Sequence, residues 1–311
     1  MGEARRAVLA WHRAHGEPER VCAGLSGGAD SLTLVAALAQ ARIPTTALVI
    51  DHGLQPGSNE VAAAAAAAAA RVGCPDARVV TVDVGTRGGP EAAARDARYA
   101  ALDAQRGGAP VLLAHTLDDQ AETVLLGLGR GSGARSLAGM RAWTAPYGRP
   151  LLGVRRAVTV AACAELGEEP YSDPHNADPR FTRVRLRTEA LPLLEDVLGG
   201  GVAEALARTA DVLRADGDTL DAAARAALAD LAPGGGPLPV SAATLDEAVR
   251  RRVLRDWLAV HGARACTYAH LTAVERLLVD WHGQGPVAVP GGAAGRPMEV
   301  VRHNGALHVR F

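Results

Sequence analysis

The chain has 311 residues, 48% of them hydrophobic, and a formal net charge of −1. That apolar share supports sizeable cores and argues against disorder, and the length allows two domains. The near-neutral charge argues against indiscriminate nucleic-acid binding while permitting local patches, and no apolar run is long enough to cross a bilayer.

The first fifteen residues set Glu3, Arg5, Arg6, His12, Arg13 and His15 around a short apolar patch. This reads as an amphipathic helix and not a signal peptide, so a cytoplasmic protein is expected. Residues 20–25, apolar from Val21 onward, read as a buried strand. It ends in Ser26-Gly27-Gly28-Ala29-Asp30-Ser31, and a helical pattern follows over 32–41. Glycines let a backbone turn sharply and bring its N–H groups close to a ligand. A helix N-terminus adds unpaired donors and a positive dipole end. A plain strand-to-helix turn also uses small polar residues. The whole hexapeptide in strand–turn–helix context favours a pyrophosphate cradle.

Further strands are predicted over 45–50, 77–82 and 111–115, with helices over 59–71 and 91–105. Nine consecutive alanines over 62–70 fit a packed helix, alanine being the best helix former. The strand–helix alternation predicts an α/β fold, a parallel sheet with helices on both faces. Ligands in such sheets sit beyond the carboxyl ends of the strands. Ser26, Asp51-His52, Asp83 and His115 stand at those ends.

The next segment is His115-Thr-Leu-Asp118-Asp119-Gln-Ala-Glu122-Thr123. Asp118 is placed as a helix N-cap. Asp119 and Glu122, three apart, share one helix face. Such a pair can hold Mg²⁺, bind an ammonium group or move a proton. It also fits an acidic capping box, and pattern alone leaves both readings open.

Helices are predicted over 155–166, 188–197 and 201–231, then a breaker, Leu231-Ala-Pro-Gly-Gly-Gly-Pro237. Helices over 245–261 and 270–282 and short strands over 286–289, 299–302 and 306–310 complete a smaller α+β part. The expected domains are 1–198, a helical linker over 199–235, and 236–311. Arg180, Arg183, Arg185 and Arg187 fall within eight residues. This local patch suits RNA phosphates, although a solvated face paired with Glu189 or Glu195 is the commoner arrangement.

Composition removes several alternatives. All 33 basic residues are arginine, which excludes a Walker A loop and a Schiff-base lysine. Cys22, Cys74, Cys163 and Cys266 are far apart in sequence, with no Cys-x-x-Cys pair. Zinc or iron–sulfur chemistry is therefore not expected, and neither is a thiolase that works through paired cysteines.

The loop at 26–31 resembles the signature of the PP-loop ATP-pyrophosphatase superfamily. Other segments narrow the likeness: Asp51-His52-Gly53-Leu54, Glu91-Ala-Ala-Ala-Arg95-x-x-Arg98-Tyr99, the 115–123 segment with Arg130-Gly131-x-Gly133, Arg149-Pro-Leu-Leu152 and Tyr171-x-Asp173-Pro-x-Asn176-x-Asp178. Together, in this order, they resemble the tRNA(Ile)-lysidine synthetases, in a short form. The resemblance implies adenylation by ATP of the wobble cytidine, C34, in a CAU-anticodon tRNA(Ile). Free lysine then displaces AMP to give lysidine. Ser26, Gly27, Gly28, Ala29, Asp30 and Ser31 would bind ATP, with Mg²⁺ at Asp30. Asp51, Asp30, Asp119 and Glu122 would be the catalytic carboxylates. Asp119 and Glu122 would take the lysine ammonium, and Arg95 or Arg98 its carboxylate. Arg130, Arg183, Arg185, Arg187 and Arg252 would meet the tRNA. The family usually has Asn where this chain has Val184. The rivals are another PP-loop tRNA-modifying enzyme and a silent tRNA-binding protein. Homodimerisation is left open.

Overall fold

The computed structural model describes residues 1–85, 89–131, 133–173, 177–292 and 298–311. Asn176 lies outside them. The chain forms two compact units, one of 1–131 with 136–210 and one of 132–135 with 211–311.

Helix α1 (Gly2–Ala14) buries Ala4, Val8 and Trp11, the spacing of a one-sided apolar stripe. Strand β1 (Val21–Leu25) is buried at all five positions, as a central parallel strand must be. Helix α2 (Ala29–Gln40) follows the glycine loop. Then come β2 (Thr45–Asp51), α3 (Ser58–Arg71), β3 (Ala77–Thr81) and α4 (Pro90–Gln105). Strand β4 is Val111–Leu112 alone, because the chain turns early toward α5 (Leu117–Arg130). Helix α6 (Ala134–Leu137), the hairpin β5 (Trp143–Thr144) and β6 (Tyr147–Gly148), and α7 (Arg156–Glu165) come next. The hairpin lies outside the predicted elements, since two-residue strands leave no periodic signal.

The sheet order is β3-β2-β1-β4-β6-β5. All neighbours are parallel except β5 and β6. The expected α/β architecture is therefore present, with the loop after β1 at its centre. On α3 the alanines Ala62, Ala65, Ala68 and Ala69 are buried. Their small side chains let that helix lie close to the loop: a Cβ on Gly27 would come within 3.3 Å of the Ala65 Cβ.

The arginine-rich segment is helical from Thr182, earlier than predicted. It runs as α8 (Thr182–Arg185), a π turn over Leu186–Ala190, and α9 (Leu191–Val197). The Leu191 N–H bonds Leu186 O, five residues back. Pro192, which has no N–H to offer and whose ring crowds the preceding turn, accounts for the widened turn. Val184 is buried, so at this position an apolar residue serves packing.

Helix α10 (Val202–Leu231) is one continuous helix of 30 residues. The division between units falls inside it, after Ala210, and not at its ends. In the second unit follow β7 (Leu238–Pro239), α11 (Glu247–Val260), α12 (Tyr268–Val279), β8 (Val287–Val289), β9 (Met298–His303) and β10 (Ala306–Arg310). The strands form an antiparallel sheet ordered β7-β10-β9-β8. Its core gathers Leu254, Trp257, Leu258, Leu277 and Met298, and the Trp257 Nε1–H donates to Gly236 O at 2.9 Å. His270, three residues after the N-cap Thr267, completes a capping box with it. Among the described residues no helix is long and apolar enough to cross a membrane.

Candidate active site

Two cavities open at the carboxyl end of the parallel strands. One, of about 340 Å³, is lined by Val49, Asp51, His52, Pro56 and Ala62. The other, of about 540 Å³, is lined by Asp30, Ser31, His115, Asp119, Arg156 and Arg187. Gly24, Ser26, Arg98 and Tyr171 belong to both walls. A largely apolar chamber thus adjoins a more polar one, with the glycine loop at their junction.

The loop is pre-shaped from within. Ser31 Oγ–H donates to Gly28 O at 2.9 Å and receives the Ser26 N–H at 3.2 Å. Gly27 has φ +82, the left-handed region that glycine enters without strain. Its carbonyl accepts the Tyr171 N–H at 3.0 Å. Gly28 caps α2 with no side-chain cap bond, so the first-turn N–H groups of α2 point outward with the positive end of the dipole, ready for an anion. Asp51 is buried and accepts the Gly53 N–H at 3.0 Å, which holds the 51–54 bend against the first cavity.

The centre of the charged cavity is a residue the sequence reading missed. Arg156, the first residue of α7, sends each guanidinium nitrogen to a different carboxylate. Nε reaches Asp30 at 3.3 Å, NH2 reaches Asp119 at 2.5 Å and NH1 reaches Glu122 at 3.2 Å. One turn on, the Thr159 hydroxyl donates to Asp30. Arg155 pairs with Asp118 and Glu204, and the Arg156 N–H donates to Asp118 at 2.7 Å. A signal was available: two arginines opening a helix stand against its dipole, so acids must be waiting for them.

Helix α5 carries the acids. Its N-cap is Thr116, in a capping box with Asp119. This corrects both the expected Asp118 cap and the Asp119–Glu122 box. The Thr116 N–H and hydroxyl each donate to Asp119 Oδ2 at 2.8 Å. Asp119 is thus both cap and cavity wall: one oxygen serves the helix and the other faces Arg156. Glu122 is fully buried behind it, held by Arg187 at 2.8 Å and by Arg156, with Arg183 at 3.7 Å.

These contacts set the protonation states. Burial pushes Asp119 up, but Arg156, the Thr116 N–H and His115 outweigh it and hold the carboxyl below its ordinary value. Burial pushes Arg156 down, and the three carboxylates overcome it, raising the guanidinium still further. Burial also pushes His115 down to about 4, against the pull of Asp119. The imidazole is therefore neutral near pH 7, and its Nδ1 is buried and unpartnered among the described residues. Asp30 is raised, because burial outweighs the help of Thr159 and Arg156. An acid whose folded value is raised loses stability as pH climbs from its unfolded value, ~3.9, through the folded one. Asp30→Asn is accordingly expected to melt higher than the parent at pH 7, with the advantage shrinking toward pH 4. Parallel thermal melts at the two pH values check this.

The two candidate arginines of α4 differ. Arg95 is exposed, lies over the Tyr99 ring at 4.9 Å and donates to its hydroxyl. Arg98 faces both cavities. Burial pushes its guanidinium down, and among the described residues no carboxylate or carbonyl pairs with it. Arg187 turns inward to Glu122 and Asp119. Arg185 pairs with Glu189 on the exposed face, and Arg130 lies exposed in the last turn of α5. Arg252, in the second unit, donates to Asp221 at 2.8 Å. Both Asp30 oxygens accept hydrogen bonds, one from Arg156 and one from Thr159. Among the described residues no cluster of three or more His, Cys, Asp or Glu could hold a metal ion.

A PP-loop domain model matches residues 5–194, and a TilS substrate binding domain model matches residues 243–308. Over 309 residues the chain is 59% identical to a tRNA(Ile)-lysidine synthase of Nocardia farcinica, covering 98% of this chain and 97% of that protein. A Mycobacterium bovis protein of the same name is 57% identical over 315 residues, covering 100% of this chain and 97% of the relative. The chain belongs to the tRNA(Ile)-lysidine synthase family. Like other lysidine synthases it is an ATP-using ligase with a PP-loop domain. Among solved structures, a U34-tRNA thiolase from Methanococcus maripaludis aligns with TM-score 0.56 and 19% identity, over 68% of this chain and 79% of that one. The likeness is one of fold.

Proposed function

We propose that this chain joins free lysine to C2 of the wobble cytidine of CAU-anticodon tRNA(Ile), with ATP activating the C2 oxygen, in the cytoplasm. The cytidine oxygen attacks the α-phosphorus and pyrophosphate leaves. The lysine amine, having lost a proton, attacks C2, and AMP departs with the oxygen. Adenylation makes a poor leaving group a good one, and the second step needs a neutral amine near a proton acceptor.

The observation that carries this reading is the pair of adjoining cavities with an acidic wall and the guanidinium of Arg98, which pairs with no carboxylate among the described residues. The 26–31 loop and the α2 N-terminus would hold the triphosphate, and the first cavity, closed by Asp51 and His52, the adenosine. Mg²⁺ fits as a companion of the phosphates, with Asp30 the side chain that would hold it; it would supply neutralisation of the phosphate charge. Asp119 would receive the lysine ammonium, with Glu122 behind it. Arg98 is the better partner for the lysine carboxylate: it faces the cavity and has no anionic partner among the described residues, whereas Arg95 is engaged with Tyr99. Arg183, Arg185, Arg130 and Arg252 remain candidates for tRNA phosphates. The inward turn of Arg187 favours a role in the acidic cluster instead.

Arg98→Gln removes a charge-assisted pair of about 1.5–3 kcal/mol. The KM for lysine is expected to rise by about tenfold or more while that for ATP stays within about twofold. A rise in the ATP value alone would move Arg98 to the phosphates. The order of steps is tested by tRNA-dependent exchange of labelled pyrophosphate into ATP without lysine. Exchange supports adenylation before amine attack; its absence, with lysine still incorporated, contradicts it. A thiolase reading is disfavoured because Cys22, Cys74 and Cys163 are buried and burial pushes their thiols up.

A further inference from the structure

Arg156 touches Asp30, which belongs to the nucleotide loop, Asp119, which lines the charged cavity, and Glu122, which is fully buried behind Asp119. Three negative charges meet two positive ones, Arg156 and Arg187, with Arg183 adding a third at 3.7 Å from Glu122. A substrate ammonium therefore meets carboxylates that are already neutralised. A triphosphate arriving at the 26–31 loop changes that balance, because its negative charge competes with Asp119 and Glu122 for the same guanidinium. Arg156 is only 21% exposed, so both competitions take place where Coulomb interactions are weakly screened.

We propose that Arg156 couples the two substrates: it holds the place of the ammonium against Asp119 until ATP binds, then moves toward the phosphates and releases Asp119, with Glu122 behind it, to lysine. This rests on the lysine reading above. It makes Arg156 a positioning residue that acts through the carboxylates. Coupling between two ligands is reciprocal and commonly of 5- to 150-fold, as an order of magnitude. ATP is therefore expected to tighten lysine binding by about tenfold, and binding is ordered, nucleotide before amine. Arg156→Gln has an unusual consequence: with the resident cation gone, lysine binds the nucleotide-free enzyme more tightly than it binds the parent.

The test is calorimetric titration of lysine into the full chain, with and without a non-hydrolysable ATP analogue, for the parent, Arg156→Gln and Arg156→Lys. In the parent the analogue tightens lysine binding. In Arg156→Gln the affinity without nucleotide rises and the coupling factor falls to within about twofold of unity. Arg156→Lys keeps the charge but cannot reach three carboxylates at once, so its factor also falls; this variant decides the matter if glutamine prevents folding. An unchanged factor in either variant, or a factor of one in the parent, overturns the coupling alone. No lysine binding to the parent under either condition overturns the lysine assignment together with the coupling.

Discussion

Glutamine in place of Glu122 is expected to destabilise the protein by about 3 kcal/mol and to raise the KM for lysine far more than that for ATP. Glu122 is fully buried and is the acid on which Arg156 and Arg187 both rest. Removing one partner of a buried ion pair commonly costs about 3–5 kcal/mol, because the other charge is left desolvated. The lower figure applies here, since Arg156 keeps Asp119 and Asp30 and Arg187 keeps Asp119 at 3.5 Å. Urea unfolding measures the stability, and steady-state kinetics with each substrate varied separates the two KM values. A variant within about 1 kcal/mol of the parent, or equal losses for lysine and ATP, would contradict the role given to this acid.

The second large effect is at Gly27. Alanine there must hold φ near +82, which costs a side-chain-bearing residue roughly 1–2 kcal/mol, and its methyl would press on the Ala65 Cβ at 3.3 Å. Relief by turning the peptide would re-aim the loop's N–H groups. A misplacement of about 1 Å can cost ~10²-fold in rate. Gly27→Ala is expected to lose about 100-fold in kcat/KM for ATP, with a modest fall in melting temperature. Near-normal pyrophosphate release would remove the loop from the reaction.

Much of the fold was legible because its signals are local. The apolar run before Ser26, the helical period after it and the repeated strand–helix rhythm predicted the parallel sheet and put the glycine loop at its centre. Asp51 and Asp119 could be placed at the cavity walls because strand ends and shared helix faces can be read from spacing. The partners were not legible. Arg156 lies 34 residues from Glu122, and Arg187 lies 65 away; no periodicity links them. Two short strands, the Thr116 cap and the π turn before Pro192 likewise depend on contacts and backbone geometry outside any one pattern. The arginine run shows the limit most plainly. Arg183, Arg185 and Arg187 look alike in sequence, yet one leans on Thr123, one pairs with Glu189 on the surface and one turns into the acidic cluster.

The most direct measurement is incorporation of radiolabelled lysine into tRNA(Ile) bearing a CAU anticodon, with ATP present and both AMP and pyrophosphate quantified. The account predicts label at the wobble cytidine, with one AMP and one pyrophosphate released for each lysine joined and nothing joined when ATP is omitted. ATP consumed with no label on the RNA, or label appearing without AMP release, would contradict it.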